Sequence, residues 1–368
     1  MTTDIQGDVC VDCQERPASL DIRHRRLCAT CFIRYVNSKI LKRMESYRFK
    51  NLAGDQKRRL FLPISGGVSS LVLLQVLDAQ LRKQMENRSR TAYDLIIARV
   101  VLPDIETRAE VEEHYQAVRS RFPLHDFLPL FYLHDVFRLD EKIDRSLTHL
   151  GIDRHEGEEN ETFLHRVLSS STSVTARADL ISILLRRLLV SIAKQQSCEA
   201  VLWGHSDSRL AALALADVAK GRGGSVSSTI ADGPSVYGVN FNYPSRDLFK
   251  VELQTYSQVL SNPLVVESMD EMTDRQPSTI RNTSIDDLLS NYIIGQGVKY
   301  PGIMANVVRT ASKLQVKTAN HETNTCPVCG MPAITDHESS LGNTVLCYGC
   351  ARVKQDIKPQ DSPGHGGS

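Results

Sequence analysis

No apolar run in this sequence approaches the roughly 18 to 20 residues that a membrane-crossing helix needs. Its first ten residues, MTTDIQGDVC, hold neither the basic segment nor the apolar one of a secretory leader. A soluble, cytoplasmic protein without membrane partners is expected. Aromatic residues are scarce, at 6%, yet 41% of the 368 residues are hydrophobic and 44 Lys+Arg face 43 Asp+Glu. That composition is globular and excludes disorder throughout. At roughly 100 to 200 residues per domain, the length allows two or three domains, each large enough to bury its own core.

Cysteine is unevenly spent. Of nine cysteines, eight fall into four C-x-x-C pairs near the two ends and Cys198 stands alone. The first set is Cys10, Cys13, a fourteen-residue spacer, Cys28 and Cys31; the second is Cys326, Cys329, a seventeen-residue spacer, Cys347 and Cys350. Four thiolates suit a tetrahedral zinc ion in a closed site with no open position for substrate, so both sets read as structural zinc ribbons. Redox C-x-x-C and iron–sulfur binding are the rival readings. Spacing leaves open whether the pairs exchange partners between the two ends. Cys198 sits between a helical pattern and an apolar run, where a buried, inert thiol is expected.

Charge is uneven too. Residues 16–59 carry thirteen Lys/Arg against three acids, a net of +10, which leaves the remainder near −9. A basic end on an acidic protein points to a polyanionic partner; Arg23, Arg25, Arg26, Lys57, Arg58 and Arg59 are the candidate RNA contacts. A solvated helix face is the plainer alternative.

The chain divides into a ribbon at 1–35, a basic helix and linker at 36–59, an α/β domain at 60–320, a second ribbon at 321–355 and a disordered tail at 356–368. Within the domain, the apolar runs LFLPIS (60–65), YDLIIARVVL (93–102), FLPLFYL (127–133) and EAVLWGHS (199–206) alternate with helical stretches. Such alternation implies a parallel sheet covered on both faces. Residues 140–175, with HEGEENE and SSSTSVT, read as an insertion and irregular connection, and 268–285 as a polar surface loop.

Directly after the first apolar run stand Ser65, Gly66, Gly67, Val68, Ser69 and Ser70, opening a helix. Small residues there let backbone N–H groups approach an anion, and a helix N-terminus favours negative charge. This is a candidate polyphosphate cradle without the Gly-Lys-Ser/Thr ending of a Walker A loop. Strand, S-G-G-x-x-S and helix resemble the PP-loop of the N-type ATP pyrophosphatases, whose usual form is S-G-G-x-D-S. The resemblance implies a doubly wound, adenine-nucleotide α-hydrolase-like sheet with ATP and magnesium at the loop. Gly204, His205 and Asp207 resemble that family's second signature. The stretches YPSRDL at 243–248, YPGI at 300–303 and VRTASKL at 308–314 resemble later blocks of its tRNA-thiolating branch.

With a ribbon at each end, the order of motifs resembles the second subunit of the eukaryotic wobble-uridine thiolases over about residues 8–355. That likeness implies a heterodimer with a catalytic thiolation subunit, tRNA as substrate and sulfur from a thiocarboxylated ubiquitin-related modifier. The departures lie at the chemistry. Ser69 stands where the PP-loop carries aspartate, and hydroxyls at 169–173 and Thr175 stand where thiolating relatives carry C-x-x-C. Trp203 and Ser208 also replace residues of the second signature. No catalytic residue is therefore assigned, and a partner subunit that keeps the fold is expected. An active ATP-dependent sulfurtransferase and a zinc-ribbon RNA-binding scaffold are the competing readings. For His205, a general base and a hydrogen-bonded structural role are both open.

Overall fold

The computed structural model describes residues 9–49, 57–103, 107–264, 266, 283–314, 325–333 and 346–359. Most of the loop expected at 268–285 and of the tail expected at 356–368 lies outside them. The chain begins with a hairpin, β1 (Leu20–Ile22) and β2 (Arg25–Leu27), then α1 (Ala29–Arg43). β3 (Arg58–Pro63), α2 (Val68–Arg88), β4 (Tyr93–Ala98), β5 (Val100–Val101), α3 (Arg108–Arg121), β6 (Asp126–Phe127) and β7 (Phe131–Tyr132) follow. Next come α4 (Val136–Leu139), α5 (Ile143–Thr148), α6 (Asn160–Ser169), α7 (Val174–Gln195), β8 (Ala200–Leu202), α8 (Asp207–Ala219) and α9 (Val226–Ile230). β9 (Gly233–Pro234), β10 (Asn240–Asn242), α10 (Lys250–Val259), α11 (Ile285–Lys299), α12 (Pro301–Ala311) and α13 (Tyr348–Gln355) complete the order. No helix among the described residues is long and apolar enough to cross a membrane.

The central sheet runs β6-β4-β3-β8-β10-β9, parallel except for β9. Successive side chains of a strand point to opposite faces, and here both directions are apolar. Leu60, Leu62, Leu95, Ile97, Ala200 and Leu202 join one buried cluster with α1, α2 and α10. Phe61, Ile96, Ala98, Val201 and Phe241 join the other with α7 and α8. The expected doubly wound α/β sheet is the observed one.

Two expectations from the apolar runs change. The run at 93–102 breaks at Arg99, which is buried beside His114, so β5 leaves the main sheet and pairs with β7. Residues 140–175 are not an irregular connection. They hold α5 and α6, and Ile143, Leu147, Phe163 and Val167 are at most 1% exposed. The acidic stretch between the helices hides an apolar face at 163, 164, 167 and 168, which is helical spacing.

The two ribbons sit on opposite faces. Cys10, Leu27 and Cys31 belong to the first cluster, Cys326, Met331 and Cys350 to the second. A buried ion network fastens the second ribbon. Asp179 of α7, 2% exposed, takes Lys220 at 2.9 Å, Arg222 at 2.7 Å and Arg352 of α13 at 2.5 Å. Lys220 continues to Asp286 of α11 at 2.7 Å. Burial opposes ionisation of Asp179, but Arg222 and Lys220 hold its carboxyl below the usual carboxylate range. Removing one partner of such a network strands buried charge. Asp179→Ala is expected to lower stability by about 3 to 5 kcal/mol in urea unfolding; a loss within the range of a surface substitution would show that the network holds nothing.

Candidate functional site

In a doubly wound sheet, ligands bind outside the carboxyl ends of the strands where strand order reverses. Here β4 and β6 lie to one side of β3, and β8 and β10 to the other, so the reversal falls between β3 and β8. The glycine turn leaves β3 there, and the segment 203–206 leaves β8 beside it. Between them opens a cleft of about 440 Å³ lined by Ser65, Gly67, Ser69, Ser70, Gly204 and His205, among others. Gly66 adopts φ 78°, a left-handed conformation that only glycine takes freely, and Gly67 caps α2. The loop is held by its own serines. Ser70 Oγ donates to the Gly67 carbonyl at 2.9 Å, while the Ser65 and Gly67 N–H groups reach hydroxyls only at 3.4 Å. Gly204 is pressed against the start of α2, where a Cβ would fall 2.7 Å from Ser70 Cα.

Six of the eight expected cradle residues meet in this cleft; Gly66 and Asp207 do not line it. Sequence reasoning missed Arg209, Lys250 and Ser290, which α8, α10 and α11 bring to the wall. Each is remote in sequence from the glycine turn, and no motif marks it. Among the described residues, the lining includes six serine hydroxyls and the cations Arg209 and Lys250, with no carboxylate and no thiol. A polyphosphate fits such a wall through backbone N–H groups and cations. Magnesium, which prefers carboxylate and water oxygens, finds no carboxylate ligand there.

His205 is not a hydrogen-bonded structural histidine at Nδ1, which is buried with no partner among the described residues. Its ring stacks on Tyr243 with centres 5.8 Å apart. Burial, then Arg209 and Arg186, push its pKa down to about 3, so the ring is neutral. Asp207, at the start of α8, is 2% exposed, and its Oδ1 has no hydrogen-bond partner among the described residues. Burial raises its pKa to about 7 against the nearby Arg23.

Each cysteine set gathers on itself. The four Sγ atoms of Cys10, Cys13, Cys28 and Cys31, and those of Cys326, Cys329, Cys347 and Cys350, lie within 4.8 Å of one another. No partners are exchanged between the ends. A zinc–sulfur bond of about 2.3 Å sets tetrahedral S···S separations near 3.8 Å; Cys13 and Cys28 stand at 3.9 Å, Cys329 and Cys347 at 3.6 Å. Both sets can hold a metal ion and are compatible with zinc. Arg222 reaches Cys350 Sγ at 3.8 Å, a cation placed to offset thiolate charge. Cys198 is buried, and burial pushes its thiol up to about 11.

The basic candidates do not form one patch. Arg23 is bound bidentately to Glu252 of α10, both contacts at 2.7 Å, and lies over the Phe249 ring. Arg25 is exposed and pairs with Asp12, and Arg26 is its neighbour on β2. Lys57 meets Asp94 at 3.3 Å, Arg58 meets Glu199 at 3.4 Å, and Arg59 reaches Gln196 at 3.5 Å. Arg58 and Arg59 begin β3 and Lys57 precedes it, at the end of the sheet away from the cleft, about 20 Å along the strand at 3.3 Å per residue.

The environment of Asp207 has a consequence for stability. Its folded pKa of about 7 lies above the ordinary 3.8, so between these values the native state keeps a proton that the unfolded chain has released. Stability then falls as pH rises through that window. Asp207→Asn is expected to gain on the wild type across it, by as much as about 4 kcal/mol at about 1.4 kcal/mol per unit. Urea midpoints measured over the range check this; parallel pH profiles would refute it.

Comparison with known proteins extends the geometry. The family model described as cytoplasmic tRNA 2-thiolation protein 2 matches residues 284–345, which include α11 and α12. Cytoplasmic tRNA 2-thiolation protein 2 of Coccidioides immitis is 37% identical over 378 residues, covering 96% of this chain and 99% of that protein. Its counterpart in Ajellomyces capsulatus is 40% identical over 357 residues, covering 89% and 96%. The solved structure of U34-tRNA thiolase NcsA from Methanococcus maripaludis with its 4Fe-4S cluster has a TM-score of 0.57 at 15% identity, over 93% of this chain and 95% of that one. At that identity the likeness is one of fold. Sequence identity sustained over nearly the whole length, on a sheet with its glycine turn at the reversal point, places this chain in the cytoplasmic tRNA 2-thiolation protein 2 family.

Proposed function

We propose that the chain is a subunit of a heterodimeric assembly that 2-thiolates the wobble uridine of tRNA, and that sulfur transfer is performed by a homologous catalytic partner. The observation that carries this reading is the lining of the cleft, which keeps the glycine cradle but contains neither carboxylate nor thiol among the described residues. The 2-oxygen of uridine is a poor leaving group. Thiolation therefore calls for activation by ATP, with pyrophosphate released, and then a sulfur nucleophile that displaces AMP. The transferring subunit needs a divalent cation against the phosphates and a sulfur donor at the uracil ring. Serine hydroxyls can hydrogen-bond to phosphate oxygens but supply neither.

The segment 169–173 supports the same assignment. Ser170 and Ser171 donate to the Val167 and Leu168 carbonyls at 2.7 and 2.9 Å, and Ser173 caps α7 while donating to Asp356 at 2.7 Å. The first two hydroxyls close the end of α6 and the third ties the start of α7 to the residue after α13, so all three are committed to structural bonds. Among the described residues, His205, neutral and stacked, has no hydrogen-bonded nucleophile at Nδ1 to activate.

When bound, zinc at the eight cysteines would be held by thiolates alone and serve as a structural clamp. The cleft residues would at most seat a nucleotide through the turn, Arg209 and Lys250. Phosphate contacts are assigned to Arg25 and Arg26 with the exposed Arg34 and Lys42 of α1, since Arg23 is committed to Glu252. The tRNAs for Lys, Glu and Gln, the thiocarboxylated ubiquitin-related modifier and a cytoplasmic location complete the reading on family grounds.

Native mass spectrometry of the purified chain is expected to find two zinc ions, one per cysteine set, and Cys31→Ser to remove one of them. Reconstitution with tRNA, ATP, magnesium and a sulfur source tests the division of labour. The chain alone is expected to form no 2-thiouridine by nucleoside mass spectrometry, and addition of its catalytic homologue to restore it. Thiolation by the chain alone would overturn the proposal.

A further inference from the structure

A second cleft, of about 430 Å³, opens beside the first, and Leu102 lines both. Its volume falls within the range of small-molecule sites, about 300 to 1,000 Å³. One wall is a set of flat groups. The Tyr132 and His134 rings stack 5.4 Å apart at 8°. The Arg108 guanidinium lies 4.4 Å from the Tyr132 ring centre, with Nε donating to its hydroxyl at 2.5 Å. Arg177, His165 and Glu161 also line this cleft, so among the described residues of its lining the two guanidinium groups outnumber the one carboxylate.

The wall is held rigidly. Tyr132 is fixed in register opposite Val101 by the β5–β7 ladder. Its N–H donates to the Asp135 carboxylate at 2.8 Å, and His134 stands in the 3-10 turn between them. The rings are only half-buried, and among the described residues no other aromatic ring is stacked on them. A packed core needs no such stack at a cleft mouth. Stacked rings beside guanidinium groups can receive a ligand with a flat π-face and a phosphate.

We infer that this second cleft receives one unpaired nucleotide of an RNA strand. Its base would stack on the Tyr132–His134 platform, its flanking phosphates would meet Arg108 and Arg177, and Glu161 would accept from a base N–H. Unpaired bases expose the faces that stack on aromatic rings and guanidinium planes, whereas a duplex hides them. The inference deepens the proposed role in tRNA thiolation and rests on it. It assigns to this subunit a grip on a single-stranded part of the substrate, next to the glycine-turn cleft.

The test uses the full chain, a labelled RNA stem-loop with an unpaired loop, the matching duplex and free nucleoside monophosphates. His134→Ala and Arg108→Gln are the variants, with circular dichroism melting to confirm folding. Ultraviolet cross-links to the stem-loop are expected to map by mass spectrometry to the peptide containing Tyr132 and His134. Each variant is expected to weaken stem-loop binding about five-fold or more, and the duplex to bind no better to wild type than to the variants. Stem-loop binding unchanged in both variants, with cross-links elsewhere, would overturn the inference while leaving the tRNA role standing. Tight mononucleotide binding lost in the variants, without stem-loop binding, would also overturn it and identify a free nucleotide as the ligand. Absence of RNA binding by the chain both alone and with its catalytic homologue would refute inference and role together.

Discussion

The strands of the central sheet are apolar on both faces, and a parallel sheet of that kind is stable only when both faces are covered. Everything else in the fold answers that constraint. Helices α1, α2 and α10 close one face and α7 and α8 the other. The cysteine ribbons are part of the coverings. Cys10 and Cys31 share a cluster with Leu60 and Leu62, and Cys326 and Cys350 share one with Phe61 and Val201. A metal site built into a core couples metal binding to folding more tightly than one on a tether. It also brings charge into the interior. On the side of the second ribbon, that charge is met by Arg222, whose other guanidinium nitrogen binds Asp179.

The charge asymmetry of the sequence has an internal explanation. Part of the basic N-terminal segment is neutralised by the acidic body. Arg23 meets Glu252, and Arg43 meets Asp247 at 2.7 Å, so the first ribbon and α1 are drawn onto α10 and the strand-end corner before it. Exposed pairs of this sort contribute about 0 to 1 kcal/mol each. Glu252 is different, because its side chain is nearly buried and also accepts the Phe249 N–H at the start of α10. A local excess of Lys and Arg therefore measures both the need for a docking surface inside the molecule and the pull on a polyanion outside it. Composition cannot separate the two.

Much of the scaffold was legible because its signals are local. Alternating apolar runs and helical periods gave the sheet, and C-x-x-C spacing gave both four-thiolate sets. What escaped depends on contacts between distant segments. Arg99 interrupts a run that otherwise reads as one strand, and only the pairing of Val100 with Phe131 shows where the second half goes. The polar composition of 151–162 concealed the apolar side of α6. Asp207 matched a signature position, yet the turn of α8 carries it away from the cleft and into the interior. Lys250 and Ser290 reach the cleft only because α10 and α11 fold back over it, and the aromatic platform at 132 and 134 carries no motif.

The glycines of the turn are required by packing as well as by any ligand. Gly66 is required by a left-handed φ and Gly204 by the approach of Ser70. Both are demands of packing two loops at the point where the strand order reverses, and they would persist with no nucleotide present. The informative residues are those the fold leaves unconstrained. Ser69 lines the cleft and is half-buried, at the position where the PP-loop pattern carries aspartate. Its absence there, together with hydroxyls committed to helix ends at 170, 171 and 173, separates scaffold from chemistry. The sheet explains why the cradle is kept, and only the lining bears on whether sulfur transfer takes place within it.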